Sequence, residues 1–309
     1  MKKSIIALAV AGAMTVPMIA QADATLFGEA RYDVSKKKDG KLGSDITRIR
    51  FGVKGEETMD SGLTAGFFLR FDGTGDVGPA DANDNGTKGV DTQKAALYIA
   101  GDFGKVVFGQ ADSPAALVED RTAYVSISGD ELGVIGNEWN HSGISYETNS
   151  MNGLKFAVGM GNVGTSDTVG ENGYGAMVSY DTDSFGVTVG AGKDASSLTV
   201  DGESHAGISA EYKFSQGAVG LSYTDEDTVD YVAVSGKYSI DKLTLAAQFE
   251  TQTTSVTGSP DVKKKSSAVS AAYSLGGNAA VAVAYVNFND VAENAGSADK
   301  TTLRYSLSF

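Results

Sequence analysis

The chain has no cysteine and very few histidines, prolines and tryptophans. Its 309 residues include no Cys, two His, four Pro and one Trp. Without thiols, the protein cannot have a disulfide framework, a thiolate metal site or a cysteine nucleophile. With only His141 and His205, a zinc centre or a histidine-based catalytic triad is disfavoured. We therefore expect no cofactor and no enzymatic reaction centre.

Long hydrophobic runs are also missing beyond the N-terminus. The longest uninterrupted apolar run there is the eight-residue stretch from Ala279 to Val286. A membrane-spanning helix needs about 20 apolar residues, so a bundle of such helices is excluded. The 13 Phe and 13 Tyr are spread through regular apolar and polar alternation, which excludes a disordered chain.

The N-terminus has the pattern of an export signal. Lys2 and Lys3 precede an apolar stretch from residue 5 to 19, and Ala20-Gln21-Ala22 fits a small-residue cleavage site. We expect a signal peptide over residues 1–22 and a mature domain over residues 23–309. Loss of the two lysines leaves 23 basic and 39 acidic residues, a net charge of −16. This acidic balance disfavours nucleic acid as a partner, because its phosphates would be repelled.

Alternation of apolar and polar residues with a period of two dominates the remaining chain. In residues 49–54, for example, Ile, Phe and Val alternate with Arg, Gly and Lys. Such alternation predicts strands that have one apolar and one polar face. Sixteen segments, an even number, show it: 24–34, 46–56, 63–72, 92–100, 105–110, 143–149, 154–162, 173–181, 186–193, 205–214, 218–225, 231–239, 243–253, 266–275, 279–289 and 300–309.

The connections between these segments alternate between short and long, except for a brief one at residues 226–230 among the long ones. The short ones hold a few residues, as at 215–217, whereas long ones include 73–91 and 111–142. Tight turns at one end and long loops at the other are typical of outer-membrane barrels. We therefore predict an all-β fold, a 16-stranded antiparallel transmembrane β-barrel with short periplasmic turns and long outer loops.

The polarity of the two strand faces supports this fold. A 16-stranded barrel is too wide for side chains to fill, so its lumen should hold water and carry the polar face. The apolar face must then contact lipid, which is compatible with closure because closure satisfies every backbone group. Aromatic residues at predicted strand ends would form interfacial girdles. They are Phe71, Phe103, Phe185, Phe214, Tyr238 and Phe309.

Several short motifs resemble the general diffusion porins of Gram-negative bacteria, a superfamily of trimeric outer-membrane proteins. The motifs lie at residues 25–28, 50–57, 61–65, 96–99, 101–104, 108–110 and 145–146, with Phe309 at the C-terminus. The resemblance covers the whole mature chain. It implies an outer-membrane location, a homotrimer in lipid, a third long loop folded into the lumen, and passive diffusion of ions and small hydrophilic solutes. The lysine runs 36–38 and 263–265, in predicted outer loops, are candidates for contact with lipopolysaccharide phosphates.

Five arginines fall on the polar face by alternation. Barrel closure makes the last strand a neighbour of the first, so these residues should form one contiguous basic wall. They are Arg31, Arg48, Arg50, Arg70 and Arg304. Their mutual repulsion requires acidic groups nearby.

The third long connection, residues 111–142, can supply such acidic groups. A loop of this length is uncommon in a compact fold and is usually functional. We hypothesise that Glu119, Asp120, Asp130 and Glu131 face the arginines across the narrowest part of the pore. The alternative is that these acids are solvated loop charges. Given the charge of −16, we also expect a mild preference for cations.

Two further interpretations concern metal binding and rival functions. Asp81, Asn83 and Asn85 copy the first half of a calcium-binding loop, but Thr92 stands where a bidentate Glu is required. We therefore expect no metal site, with these three residues as a weak candidate. The rival functions are a substrate-selective porin and a surface barrel whose loops act mainly as an adhesin or phage receptor.

Overall fold

The computed structural model describes residues 24–74, 89–110, 114, 118, 121–125, 143–161, 172–194, 202–289, 291–292 and 298–309. The predicted signal peptide and the weak metal candidates Asp81, Asn83 and Asn85 lie outside these residues. Within the described stretches, no helix is both long enough and apolar enough to cross a membrane.

The described residues form sixteen strands. In chain order they are β1 Thr25–Lys37, β2 Leu42–Thr58, β3 Thr64–Thr74, β4 Gly89–Gly101, β5 Gly104–Gly109, β6 Gly143–Glu147, β7 Leu154–Gly161, β8 Gly173–Asp181, β9 Phe185–Lys193, β10 Ser204–Phe214, β11 Gly217–Glu226, β12 Val229–Ile240, β13 Leu243–Thr254, β14 Val262–Gly276, β15 Ala279–Phe288 and β16 Lys300–Ser308.

These strands close into a single barrel. Each strand pairs antiparallel with its neighbours in the chain, and β16 pairs with β1 to complete the ring. The predicted 16-stranded antiparallel barrel is therefore confirmed. The largest differences in strand bounds are at β2 and β14, which begin at Leu42 and Val262, four residues before the predicted starts. Both extensions are rich in polar residues on both faces, which hides the alternation.

The connections at one end of the barrel are tight turns. Three of them contain a non-glycine residue in the left-handed region: Asn152 with φ of 54°, Asp241 with φ of 52° and Asn278 with φ of 69°. Asn and Asp tolerate this conformation better than other residues because their short polar side chains can hydrogen-bond locally. The predicted sorting into short turns at one end and long loops at the other holds for most connections. Residues 38–41 after β1 are however a short connection where a long loop was predicted, because both flanking strands extend further than expected. The connection after β11, residues 227–228, is brief as predicted.

Large apolar side chains cover the outside of the barrel. Leu26, Leu97 and Phe249 are each 60% exposed or more, values that are unusual for such residues in a soluble protein. Most buried apolar residues within the described chain are by contrast small, chiefly alanine. The barrel therefore carries its apolar surface outward, as a lipid-facing surface requires.

The seam between β1 and β16 depends on a close approach at Gly28. The amide of Gly28 donates to the carbonyl of Phe309 at 2.9 Å, and the amide of Phe309 donates to the carbonyl of Gly28 at 3.0 Å. The Phe309 ring lies over Gly28, where an added Cβ would be 2.4 Å from the ring Cζ and 2.8 Å from the carbonyl oxygen of Arg50. Only glycine fits at this position without a shift in the seam.

Replacing Gly28 with alanine should weaken barrel closure. We expect a loss of about 1–3 kcal/mol, because the new methyl group overpacks against the ring and against a backbone oxygen. The measurement is the urea concentration at the midpoint of unfolding for refolded protein in detergent. Gly236→Ala is the matched control, since its Cβ would lie 3.5 Å from Val219 in ordinary contact. Equal midpoints for the two variants would contradict the role of Gly28.

Candidate functional site

The five arginines predicted from the sequence lie on adjacent strands and share one face. Arg31 is on β1, Arg48 and Arg50 on β2, Arg70 on β3 and Arg304 on β16. We call these five residues the arginine wall. Arg304 lies directly opposite Ala282 on β15, and Ala282 packs in one cluster with Val125 of the connection after β5. Because cross-strand partners share a face, the wall faces the lumen.

Two members of the arginine wall are held by aspartates on neighbouring strands. The Arg50 Nε donates to Asp72 Oδ1 at 2.6 Å, and its Nη2 donates to Asp72 Oδ2 at 2.8 Å. The Arg304 Nε and Nη2 donate in the same way to the two oxygens of Asp33, at 2.7 and 2.6 Å. Paired hydrogen bonds of this kind fix the plane of each guanidinium.

A single glutamate serves two further arginines. Arg31 and Arg48 are direct cross-strand partners, an arrangement that places like charges side by side. Glu29 accepts a hydrogen bond from Arg31 Nε, and its second oxygen is 3.5 Å from Arg48 Nη1. The glutamate therefore offsets a repulsion that would otherwise destabilise this part of the sheet.

The sequence interpretation missed these three acids. It sought counter-charges in the third long loop, whereas Glu29, Asp33 and Asp72 belong to the wall strands themselves. The signal was available, since Glu29 and Asp33 are each two residues from Arg31, and Asp72 is two residues from Arg70. Positions separated by two residues lie on the same face of a strand.

The connection between β5 and β6 enters the barrel. Its described residue Arg121 reaches the inner face of β8 and β9, where Nη1 and Nη2 donate to the two oxygens of Asp181 at 2.8 and 3.0 Å. Nε donates to the hydroxyl of Thr188 at 2.7 Å. The guanidinium lies flat on Gly186, where an added Cβ would be 1.9 Å from Nη1. Glycine at this position therefore permits the contact.

The next residues of this connection continue along the inner wall. The hydroxyls of Thr122 and Ser222 on β11 are 3.1 Å apart. Tyr124 donates its hydroxyl to Glu211 on β10, and the ammonium of Lys237 lies 4.2 Å from the centroid of the tyrosine ring. Burial and the Glu211 carboxylate raise the pKa of Tyr124, a loop residue, so this phenol stays protonated and donates at neutral pH.

Val125 ends this described stretch in an apolar cluster. It packs with alanines on the inner faces of β13, β14 and β15, together with Val286 and Phe288. The inner wall of a water-filled barrel would normally be polar. Here a patch of the inner wall is apolar where Tyr124 and Val125 pack against it and exclude water.

These contacts divide the lumen into two sides. Residues 121–125 are bound to the inner wall of β8–β15, whereas the arginine wall occupies β16 and β1–β3. The acids Glu119, Asp120, Asp130 and Glu131 lie outside the described residues. The sequence interpretation named none of the anchoring residues Arg121, Thr122, Tyr124 and Val125. No local pattern marks them, because their partners are 60 or more residues away in the chain.

No metal centre is visible in the part of the chain that the structure describes. Among those residues, no group of three or more His, Asp or Glu side chains is arranged to hold a metal ion.

Replacing Gly220 with valine should detach the anchored stretch. An added Cβ at Gly220 on β11 would lie 2.3 Å from the carbonyl oxygen of Arg121, so the stretch must move away from the wall. We expect amide hydrogen exchange in residues 121–125 to become about tenfold faster or more, which corresponds to about 1.4 kcal/mol. Mass spectrometry of refolded protein measures this exchange.

Gly43→Val is the matched control for this variant. Gly43 also lies on the inner face, opposite Ser35 on β1, and an added Cβ there meets nothing within 4 Å. Its exchange in residues 121–125 should match that of the unmodified protein. Unchanged exchange in the Gly220 variant would show that the wall does not hold this stretch.

Comparisons with known proteins agree with this architecture. The Salmonella typhi OmpF structure, a complex with daunomycin, superposes with a TM-score of 0.78 at 18% identity, over 93% of this chain and 98% of that one. The trimer form of OmpT from Vibrio cholerae gives a TM-score of 0.70 at 16% identity, over 93% and 99%. A triple mutant of the Rhodopseudomonas blastica porin gives 0.68 at 19% identity, over 93% and 100%. At these identities the likeness establishes the shared fold.

Sequence comparison adds a family assignment. Outer membrane porin protein 32 of Delftia acidovorans is 29% identical over 217 residues, which cover 62% of this chain and 59% of that protein. The aligned region thus spans less than two thirds of this relative. A family model described as Gram-negative porin matches residues 7–293. Since this match extends over most of the sequence and the fold agrees, the chain belongs to the Gram-negative porin family.

Proposed function

We propose that the protein is an outer-membrane channel through which ions and small hydrophilic solutes diffuse passively. The observation that carries this proposal is a closed 16-stranded barrel whose outer face is apolar and whose inner face is charged. A loop enters its lumen and binds the inner wall through Arg121. Membership of the Gram-negative porin family supports it. The lumen offers solutes a polar path, and the closed sheet leaves no unpaired strand edge in the hydrocarbon.

The narrowest part of this channel lies between the arginine wall and the third long loop. The described residues 121–125 of that loop contact the inner wall from β8 to β15, and none of their contacts is with a residue of the arginine wall. We infer that Glu119, Asp120, Asp130 and Glu131 project from the loop toward the arginines. Opposed rows of charge would set up a transverse field that orders water in the passage. Polar solutes would pass, and bulky apolar ones would be rejected because they cannot replace the aligned water.

The channel should show a mild preference for cations. Glu29, Asp33 and Asp72 offset much of the positive charge of the arginine wall through direct ion pairs. Removal of a signal peptide over residues 1–22 would leave an overall charge of −16. Fixed charges that line a pore repel ions of the same sign and admit ions of the opposite sign.

The surroundings of the barrel follow from its outer surface. The exposed apolar band should be embedded in the hydrocarbon of the outer membrane after export and signal-peptide cleavage. Lys36 and Lys265, exposed and outward by alternation at the outer ends of β1 and β14, would contact lipopolysaccharide phosphates. A homotrimer is supported by the structural likeness to the trimer form of OmpT.

Removing two wall arginines should widen the passage and change its ion preference. In the double variant Arg31→Ala and Arg50→Ala, Glu29 and Asp72 lose their closest partners, so the net charge of the five arginines and their three acids falls from +2 to 0. We expect single-channel conductance to rise and the cation-to-anion permeability ratio to increase about twofold or more, since even about 0.4 kcal/mol of altered electrostatic energy produces that ratio. Planar bilayer recordings in a salt gradient measure both quantities.

A charge-matched variant separates lumen charge from net charge. Lys36→Ala with Lys265→Ala removes the same total charge from the outward-facing rim, so its conductance and reversal potential should stay at the original values. If the arginine variant also kept the original conductance and reversal potential, the proposed constriction would be wrong. Absence of any conductance from the correctly folded, unmodified protein would overturn the channel function itself.

A further inference from the structure

A second charged region lies beneath the anchored loop, away from the arginine wall. It is a cavity of about 380 Å³ between Arg121 and the inner faces of β6–β10. Glu147, Lys155 and Asp181 contribute to its lining and lie beside the short turns, at or next to the ends of β6, β7 and β8. The cavity therefore lies toward the end of the barrel that carries the short turns. Its volume falls within the range of small-molecule sites, about 300–1,000 Å³.

Two of the charged residues that line this cavity are already bound within the protein. The guanidinium of Arg121 is 12% exposed and is held by Asp181 and Thr188. Glu211 is 10% exposed and accepts from Tyr124 and from Lys213, whose Nζ is 3.0 Å from it. Neither Arg121 nor Glu211 can offer its full charge to a solute. Both instead build the walls of the cavity.

Lys155 and Glu147 are by contrast loosely paired and accessible. Lys155 Nζ is 3.4 Å from Glu147 Oε1, and their side chains are 40% and 33% exposed. Ion pairs this long and this exposed contribute little stability, so they exchange readily for better partners. Lys105, the cross-strand neighbour of Glu147, lies over the ring of Tyr98 instead. Asp181 is 44% exposed although it binds Arg121, so one side of its carboxylate is open to solvent.

We propose that this cavity binds a small zwitterion of the α-amino acid class. The ligand carboxylate would pair with Lys155, and its ammonium group would lie between Glu147 and Asp181. One long ion pair would thus be replaced by two charge-assisted contacts of ordinary length. An anion lacking the ammonium group would draw Lys155 away from Glu147 and leave that carboxylate without a partner. A cation lacking the carboxylate leaves Lys155 without a compensating partner. Only a ligand with both charges satisfies all three residues.

Such binding goes beyond passive diffusion and can be measured independently of it. Equilibrium binding needs only the folded barrel, whereas the channel function is tested by conductance without any ligand. If binding is observed but no ion current, the channel proposal fails and this one stands. If an ion current is observed but no binding, the zwitterion site fails and the channel proposal stands.

The test uses L-alanine as the probe and the refolded protein in detergent. Saturation-transfer NMR should show saturable binding with a Kd in the range of about 1 mM, typical of a ligand with few atoms. Alaninamide, which is only cationic, and N-acetylalanine, which is only anionic, should each bind about tenfold more weakly, because each loses a charge-assisted contact. Equal binding of alaninamide or N-acetylalanine would overturn the zwitterion assignment, as would the absence of saturable binding.

Three variants locate the site. Lys155→Met and Glu147→Gln should each weaken alanine binding about tenfold, because each removes one charged contact. Lys54→Met is the control, since Lys54 is an exposed lysine on the inner-face register of β2, across the lumen near the short turns. Its affinity for alanine should not change. Circular dichroism establishes that each variant has folded. If the control loses affinity as much as the other two, the proposed cavity is not the binding site.

Discussion

Complete pairing of backbone hydrogen-bonding groups is the constraint on which the rest of the structure depends. No water is available in hydrocarbon to satisfy a free amide or carbonyl, so a sheet that spans a membrane must have no edge. Here β1 and β16 meet this requirement through nine register pairs, from Glu29–Ser308 to Lys37–Lys300, and through the two hydrogen bonds between Gly28 and Phe309. Once the ring is closed, each side chain points either to lipid or to the lumen.

This choice of side determines the electrostatics of the lumen. Closure places Arg304 opposite Asp33 and diagonal to Arg31, although the two arginines are 273 positions apart in the chain. Guanidinium groups crowded on one wall repel each other more strongly there than in bulk water, since the effective dielectric constant is lower. The carboxylates on the same strands, Glu29, Asp33 and Asp72, offset that repulsion and fix the orientation of their partners. The wall is therefore an ordered ladder of ion pairs, with more arginines than acids among these eight residues.

The anchored loop changes the polarity of the inner face on β15, the strand next to the arginine wall. Strand β15 carries the longest apolar run after the N-terminus, and its inner face presents Ala282, Ala284 and Val286. A strand that is apolar on both faces normally indicates burial on both faces. Lipid covers one face of β15, and Val125 with Tyr124 packs against the inner cluster. The apolar run of β15 therefore coincides with the part of the inner wall from which the loop excludes water.

Local alternation determined the number of strands, their approximate bounds, the two faces and the membership of the arginine wall, because the direction of a strand side chain depends only on its position parity. The same alternation places Glu29, Asp33 and Asp72 on the face of the arginines. It could not reveal Arg121 against Asp181, Thr122 against Ser222 or Tyr124 against Glu211, because these pairs join residues far apart in sequence. Their positions become adjacent only when the ring closes and the loop turns inward. The sequence by itself therefore determined which surfaces the barrel would have, and the tertiary structure decided which of them would meet.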